Sequence, residues 1–352
     1  MSVSVRSLLF AGICSGLLVS SAFAVDSVTK KSGGRVGGKI TGGSKTELTI
    51  KPPTGDAVNI PANDLQLVDF DDATADLKLG LADENAGRFD AALQRVTKSK
   101  TDTKGDNALL KGEFDFILAR LHARIALADP AKRDEAITLL QGFQKSHSDH
   151  YRFYDSVTFL GQVQLAKQDY EAARKSFDVL SQAPWSEAKL AAKIASGRIL
   201  TGENKLDEAV QNFDDAIKTA GSSAGDTARK YEAMLGKARA LIAQSKHAEA
   251  LTTLDEVTLN ASPEDTALQA EAYVLQGNAL QSLNRAKEAV LAYLHVDILF
   301  PREAGYHAES LYHMTKLWKT VQLPERGLEA EAKLQSSYPN SEWTKKLSTV
   351  QN

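Results

Sequence analysis

A small residue that recurs seven times at nearly regular spacing is the feature of this sequence that most constrains its fold. It closes short helix-forming blocks such as "FDAA" at 89–92 and "YEAA" at 170–173. We name these seven positions the anchor residues, and they are Ala92, Ala136, Ala173, Ala209, Ala250, Ala289 and Gly327. Their spacing of 36 to 44 residues is typical of repeat arrays, in which each unit buries its apolar face only against its neighbours.

Two further positions keep a fixed distance from the anchors. Twelve residues before most anchors lies another small residue, which is Gly80, Gly161, Gly197, Ala238 or Gly277. The second and seventh repeats depart from this rule with Arg124 and Thr315. Four residues after most anchors comes a bulky side chain, which is Val96, Leu140, Phe177, Phe213, Leu254 or Tyr293. The pattern predicts antiparallel helix pairs that approach closely where the small residues meet, with the bulky side chain filling the gap towards the next pair.

The third repeat carries the most complete set of these residues: Leu160, Gly161, Tyr170, Ala173, Phe177 and Pro184. With this set the chain resembles the tetratricopeptide repeat family, although its period is longer than the usual length of about 34 residues. The resemblance covers residues 73–347 and implies a mainly α fold, an α-solenoid of about seven helix hairpins. The ending "SSYPNSEWTKKL" is similar to the last repeats of periplasmic bacterial members. The resemblance implies a protein-interaction role for the array.

Residues 35–71 differ from the repeats because Val, Ile and Thr alternate with polar residues over short runs such as "TELTIK". Turn sequences such as "TGGS" and "PPTGD" separate these runs. The pattern predicts a small four-stranded sheet or barrel-like module. A core of some forty residues is thin, so we expect the module to pack against the helices. Residues 25–34 are polar and rich in Gly and Ser, which predicts a flexible linker.

The first 24 residues have the pattern of a secretory signal. Arg6 precedes an apolar run at 8–19, and Ala22 and Ala24 form a small-x-small cleavage site. We therefore expect cleavage near Ala24 and a periplasmic or secreted protein, as in secreted bacterial repeat proteins with a small β module. Retention of the segment as an anchor and lipidation at Cys14 are the alternatives. Cleavage would remove the only cysteine, and no membrane span is expected in the mature chain.

Charge and motifs argue against several other functions. The chain has 42 Lys and Arg against 45 Asp and Glu, which does not favour a nucleic-acid partner. "GGRVGGKI" at 33–40 lacks the Ser or Thr of a phosphate-binding loop. "GSSAG" at 221–225 follows a helix rather than the strand that a nucleophile elbow needs. His147 and His150 show no third metal ligand and are interpreted as solvated loop residues. We therefore predict a protein that is not an enzyme and has no cofactor or metal.

The concave face of the predicted solenoid is its candidate binding groove, and the first helices of the pairs line it. We number each first helix so that its small residue is position eight. Position nine predicts a mostly basic row: Gln162, Arg198, Arg239, Asn278 and Lys316. Position two predicts an acidic row: Asp155, Ala191, Glu232, Glu271 and Glu309. Position five predicts an apolar floor: Thr158, Ile194, Leu235, Val274 and Tyr312. Positions two and nine share a helix face, and the alternative is that the charges are solvated and the apolar row belongs to the core.

These observations lead to two hypotheses of function. In the first, the protein is a scaffold of the bacterial cell envelope that binds a peptide or a partner helix in the groove. In the second, it is a structural or self-associating subunit of an envelope or cell-wall assembly.

Overall fold

The computed structural model describes residues 25–350, so the predicted signal segment at 1–24 lies outside the described residues. Within this range a small antiparallel sheet precedes an array of helices. The mainly α fold and the solenoid predicted from the repeats are confirmed. Two short 3-10 helices, Ala62–Asp64 and Pro130–Lys132, complete the regular structure of the described residues.

The sheet has five strands, so the predicted number of four is wrong. Its strands are β1 Asp26–Lys30, β2 Arg35–Ser44, β3 Glu47–Lys51, β4 Val58–Pro61 and β5 Leu65–Asp69. They are ordered β4-β3-β2-β1-β5, and all neighbouring strands are antiparallel.

The flexible linker predicted at 25–34 is also wrong, because half of it, Asp26–Lys30, forms β1. Val28 is fully buried between its partners Val36 on β2 and Val68 on β5. Gly33 and Gly34 lie in the turn between β1 and β2, where both have positive φ angles that favour glycine. The strand could not be predicted from the sequence because Val28 is its one fully buried apolar residue and its neighbours are polar.

Fifteen helices follow within the described residues. They are α1 Ala75–Asn85, α2 Phe89–Asp102, α3 Ala108–Ala128, α4 Arg133–Ser146, α5 Phe153–Ala166, α6 Tyr170–Ser181, α7 Ser186–Gly202, α8 Leu206–Thr219, α9 Ala224–Ala243, α10 His247–Asn260, α11 Thr266–Ser282, α12 Ala286–Leu299, α13 Ala304–Thr320, α14 Pro324–Ser337 and α15 Glu342–Val350. The first fourteen form seven hairpins, and α15 packs against α13.

Every anchor residue lies in the second helix of a hairpin and is buried. The structural positions of the repeat that we predicted are all buried too: Gly80, Ala92, Gly161, Ala173, Gly197, Ala209, Ala238, Ala250, Gly277 and Ala289. The seven repeats identified from the spacing thus correspond to the seven hairpins.

The reason for the glycines differs from the prediction in one respect. A Cβ atom added to Gly197 would come within 2.7 Å of the ring of Phe213, the bulky residue of the same hairpin. Gly161 faces Phe177 and Gly277 faces Tyr293 in the same way, at 2.6 and 2.5 Å. The bulky side chain therefore fills the space above its own glycine. Phe213 also touches Gly236 of the next hairpin, so it serves both contacts.

The last hairpin reverses this arrangement. Thr315 stands at the small position, and the anchor Gly327 lies against its backbone, since an added Cβ would meet the Thr315 carbonyl oxygen at 2.8 Å. Direct approach of the two helix backbones, as predicted from the sequence, occurs at this hairpin.

A turn geometry shared by the hairpins was not foreseen. The residue five positions before the anchor has a positive φ angle in six of the seven hairpins: Gly87, Gln168, Asn204, Ser245, Asn284 and Gln322. In these six hairpins a residue with left-handed backbone conformation follows the first helix and redirects the chain into the second. The second hairpin differs because the 3-10 helix Pro130–Lys132 joins α3 to α4.

The sheet packs on the first hairpins, as its thin core led us to expect. Buried sheet residues such as Leu48, Ile50 and Ile60 share one core cluster with Phe114 and Ile117 of α3. Because α3 is the first helix of the second hairpin, the sheet covers the concave side at this end of the array. Two polar contacts extend the interface: the Lys45 amide donates to Asp149 at 3.1 Å, and Asn63 donates to Glu187 at 3.4 Å.

A buried ion pair lies beneath the sheet. The Arg152 side chain, 7% exposed, meets the Glu113 carboxylate, 4% exposed, at 3.1 Å. Tyr151, which packs beside Gly43 of β2, donates its hydroxyl to Glu113 at 2.7 Å. Burial opposes ionisation of Glu113, but Arg152 and Tyr151 outweigh it and hold the pKa of Glu113 below its usual value near 4.5. Arg152 also reaches Asp155 at 3.2 Å.

Two glycines give a matched test of the packing. We expect Gly197→Ala to lower the free energy of unfolding by about 1–3 kcal/mol, because the new methyl group overpacks the Phe213 ring. Gly142 of α4 has no atom within 4 Å of an added Cβ, so Gly142→Ala should raise the free energy by about 0.5–1 kcal/mol through helix propensity. Urea unfolding followed by circular dichroism measures both, and equal effects of the two substitutions would contradict the packing account.

The buried pair gives a second test. Glu113→Gln should lower the free energy of unfolding by about 3 kcal/mol at pH 7, because it leaves Arg152 buried with less compensation. The deficit should shrink as the pH falls below 4.5, since the stability that a carboxylate with a lowered pKa contributes is present above that range and is lost below it. Glu171→Gln, at an exposed pair with Lys175, should change stability by about 0.5 kcal/mol or less. A pH-independent deficit would show that the Glu113 charge is not the cause.

Candidate protein-binding groove

The predicted basic and acidic rows meet on the concave face and pair with each other. Position nine of one first helix contacts position two of the next first helix, so each pair joins consecutive hairpins. We name these three pairs the rungs, and they are Arg198–Glu232 at 2.8 Å, Arg239–Glu271 at 2.9 Å and Asn278–Glu309 at 3.3 Å. The two rows are thus one line of inter-repeat contacts rather than two separate surfaces.

The ends of the rows follow from the same rule. Gln162 is half-buried, and the residue at position two of the next first helix is Ala191, which has no acidic group to pair with it. Lys316 belongs to the last hairpin and instead lies over the ring of Tyr312, 5.3 Å from its centroid. The structure therefore joins the middle members of the predicted set and leaves Gln162 and Lys316 outside the rungs.

The predicted apolar floor is wrong for three of its members. Ile194, Leu235 and Val274 are only 1%, 4% and 2% exposed, so they belong to the packed core between the helices. Position five points between the first helix and its neighbours, whereas positions two and nine lie nearer to solvent. Tyr312 and Thr158 are half-buried.

Glu232 is the rung glutamate that lies between two cations, Arg198 and Arg229. Burial opposes the charge of Glu232, but Arg198 and Arg229 outweigh this effect and keep the pKa of Glu232 below its usual value. Glu309 has only the neutral Asn278 as its rung partner, and burial raises its pKa. Glu232 therefore holds its negative charge more firmly than Glu309 does.

An open cleft of about 420 Å3 lies along the rungs at α7, α9 and α11. Arg198, Glu232 and Glu271 line it together with Arg229 and Lys31. Lys31 comes from the tip of the β1–β2 hairpin, so the sheet reaches over this end of the groove. Sequence patterns could not show this contribution, since Lys31 fell in the stretch predicted as a linker.

A second, narrower cleft of about 120 Å3 continues towards the sheet. Tyr154 and Trp185 form an aromatic wall, with ring centroids 5.5 Å apart at 84°. Asn63 and Lys31 of the sheet module face Asp155 and Glu187 of the helices across this cleft. The groove therefore ends against the sheet at its N-terminal side.

The remaining sequence motifs have structural roles. The "GGRVGGKI" segment forms the β1–β2 turn and the start of β2. Ser223 of "GSSAG" caps α9 by accepting a hydrogen bond from the Asp226 amide at 3.1 Å. Neither segment therefore has the structural context of a phosphate-binding loop or a nucleophile elbow.

The prediction that His147 and His150 are solvated is wrong. His147 bonds to Asp115 at 2.9 Å, and His150 is 5% exposed and stacks on Tyr151. Burial lowers the pKa of His150. Within residues 25–350, no group of three or more His, Cys, Asp or Glu side chains is arranged to hold a metal ion.

None of the helices in the described range combines the length and the apolar character that a membrane span requires. The buried apolar side chains of the array form clusters between hairpins.

A family model described as the protein kinase G tetratricopeptide repeat matches residues 43–305, more than half of the chain. The chain belongs to this tetratricopeptide repeat family. The match covers part of the sheet and most of the helix array. The family's name comes from a kinase, but tetratricopeptide repeats (TPRs) are generally non-catalytic interaction modules. No curated protein sequence matches the chain significantly.

Solved structures of other TPR proteins have the same fold. A TPR protein from Parabacteroides merdae is 15% identical, with a TM-score of 0.50 over 77% of this chain and 95% of that one. A Rap protein complexed with competence and sporulation factor is 15% identical, with a TM-score of 0.51 over 77% of this chain and 79% of that one. At these identities the likeness concerns the fold alone.

Proposed function

We propose that this TPR protein is a non-catalytic scaffold of the bacterial cell envelope that binds an extended peptide segment of a partner protein along its rungs. The observation that carries the proposal is the exposure of Arg198 and Arg239, whose side chains are 40% and 51% exposed beside the cleft. Each uses one nitrogen for its glutamate, while a guanidinium group has five N–H donors.

The chemistry of the rungs suits a peptide backbone. An extended peptide presents carbonyl oxygens and amide hydrogens at regular intervals. The spare arginine N–H groups can donate to the carbonyl oxygens, and the glutamate oxygens can accept from the amides. Because rungs recur at three consecutive junctions, from α7 to α13, similar recognition can repeat along this part of the groove. The Rap protein complexed with competence and sporulation factor supports this proposal as a protein of similar fold that binds another molecule.

The sheet sets the extent of this groove. It covers the concave side of the first hairpins, so the open part runs from α7 towards α13. The predicted signal segment at 1–24 supports an envelope or secreted location for the protein, and the partner would then be an envelope protein.

Substitution of the two rung arginines tests the proposal. Peptides selected from a random display library on the chain should bind Arg198→Gln/Arg239→Gln about tenfold or more weakly, because two charge-assisted contacts are lost. The matched control is Arg285→Gln/Arg326→Gln, which removes two arginines paired with Glu288 and Glu329 on second helices. Fluorescence anisotropy measures the affinities, and hydrogen exchange should show protection in α7, α9 and α11.

Unchanged affinity in the rung variant, with native circular dichroism, would contradict the groove as the binding site. Equal loss in the control variant would point to a non-specific effect of positive charge.

Self-association is the second candidate function, and exposed aliphatic side chains favour it. Leu259 and Ile298 stand nine residues after their anchors on α10 and α12, and they are 82% and 68% exposed. Leu291 and Leu299 on α12 and Leu328 on α14 are also exposed. Apolar side chains at equivalent positions of consecutive hairpins form a surface that a second copy could cover.

Sedimentation velocity tests this candidate. If the surface pairs two chains, Leu259→Glu/Ile298→Glu should convert a dimer into a monomer while leaving peptide binding intact. A monomeric wild-type chain over the accessible concentration range would contradict self-association through this surface.

A further inference from the structure

A separate cleft, which shares no lining residue with the peptide groove, lies between the sheet and the first two hairpins. Its volume is about 440 Å3. Strands β1 and β5 contribute Thr29 and Gln66, while α1 and α3 contribute Glu84, Arg120 and Arg124. The cleft therefore lies where the edge strand β5 approaches the first two hairpins.

Arg124 occupies a position where the repeat pattern calls for a small residue. Four other hairpins have glycine there and one has alanine. The helix that carries Arg124 is followed by the 3-10 helix Pro130–Lys132 in place of the usual left-handed turn. The second hairpin thus departs from the repeat at the point where Arg124 faces the cleft.

The charges around Arg124 are unequal. The Glu84 side chain is 3% exposed, and its two oxygens lie 2.6 Å from Arg120 Nη2 and 3.2 Å from Arg124 Nε. One carboxylate therefore stands between two guanidinium groups. The other acid of the cleft, Glu113, is already paired with Arg152. Three arginines and two glutamates line the cleft, so its lining carries an excess of one positive charge.

Donors remain available for a second anion. The Arg124 side chain is 39% exposed, and its only ion pair among the described residues uses Nε, which leaves both terminal nitrogens for a ligand. Thr29, Gln66 and Asn85 add neutral hydrogen-bonding groups to the lining. Arg120 is held in place by Glu84 and by the ring of Phe116, 5.2 Å from its centroid. Such a fork of fixed donors matches the geometry of carboxylate and phosphate oxygens.

We propose that this cleft is an oxyanion-binding site, in which Arg124 and Arg120 bind a carboxylate or phosphate group of a ligand. The anionic group of the ligand would be the second anion, beside Glu84, for the guanidinium groups of Arg120 and Arg124. The site is separate from the rungs and does not depend on the proposed peptide binding.

Calorimetry on the full chain tests the site with two probes, inorganic phosphate and succinate, in chloride buffer at constant ionic strength. Saturable binding of at least one probe is expected, and preference between them would distinguish a phosphate ligand from a carboxylate ligand. Arg124→Gln should weaken binding about tenfold or more, and Arg124→Lys should weaken it less, because lysine keeps the charge but loses the fork. The probes should also raise the Tm of the wild-type chain.

Two controls keep the outcome clear. Arg326→Gln removes an exposed arginine and should leave phosphate and succinate binding unchanged. The rung variant Arg198→Gln/Arg239→Gln should also bind both probes normally, so failure of the peptide groove would not affect this result. If sodium chloride at equal ionic strength raises the Tm as much as the probes do, or if folded Arg124→Gln and Arg124→Lys bind with wild-type affinity, the proposal is wrong. If Arg124→Gln does not fold, the affinity of Arg124→Lys for phosphate and succinate tests the proposal by itself.

Discussion

The contact of a bulky side chain with a glycine of the same hairpin is the interaction on which the array depends. Phe213 lies on Gly197 and touches Gly236 of the following hairpin, so one ring sets both the spacing within a hairpin and the spacing to the next. Because close-packed interiors adjust little to added volume, this contact fixes where successive first helices stand. The position of the rungs follows from it, since positions two and nine meet only if neighbouring first helices keep a constant separation.

In the rungs, residues that are far apart in the sequence form one continuous surface because the hairpins stack regularly. Arg198 and Glu232 are 34 residues apart, yet the stacking of hairpins makes them neighbours. Each arginine neutralises a partly buried glutamate and still presents donors to solvent. The same arginine side chains therefore stabilise the array and can bind a ligand. The more exposed an arginine side chain is, the more of its N–H donors are free for a ligand.

The sequence predicted the array well because its signals are periodic. Seven anchors, the helix pairs and the four strands β2 to β5 could all be identified from residue type and spacing. The strand β1 could not, because Val28 is its one fully buried apolar residue and it is surrounded by polar neighbours. The candidate site was predicted in part: the charged rows are close together, but Ile194 and Val274 lie in the core. An error of orientation at one helix position moves a side chain from the groove to the interior. Lys31 and Asn63 were missed because contacts between distant parts of the chain leave no periodic signal.

The place of the sheet has a consequence for the order in which the chain folds. Contacts within and between hairpins join residues close in sequence, and such local contacts form quickly. The sheet module instead reaches Asp149 from Lys45 and Glu187 from Asn63, at separations of 104 and 124 residues. During synthesis, which starts at the N-terminus, the sheet module can complete these contacts only after α7 has been made. We therefore expect the array to assemble ahead of the docked sheet, so that the groove acquires its closed end last.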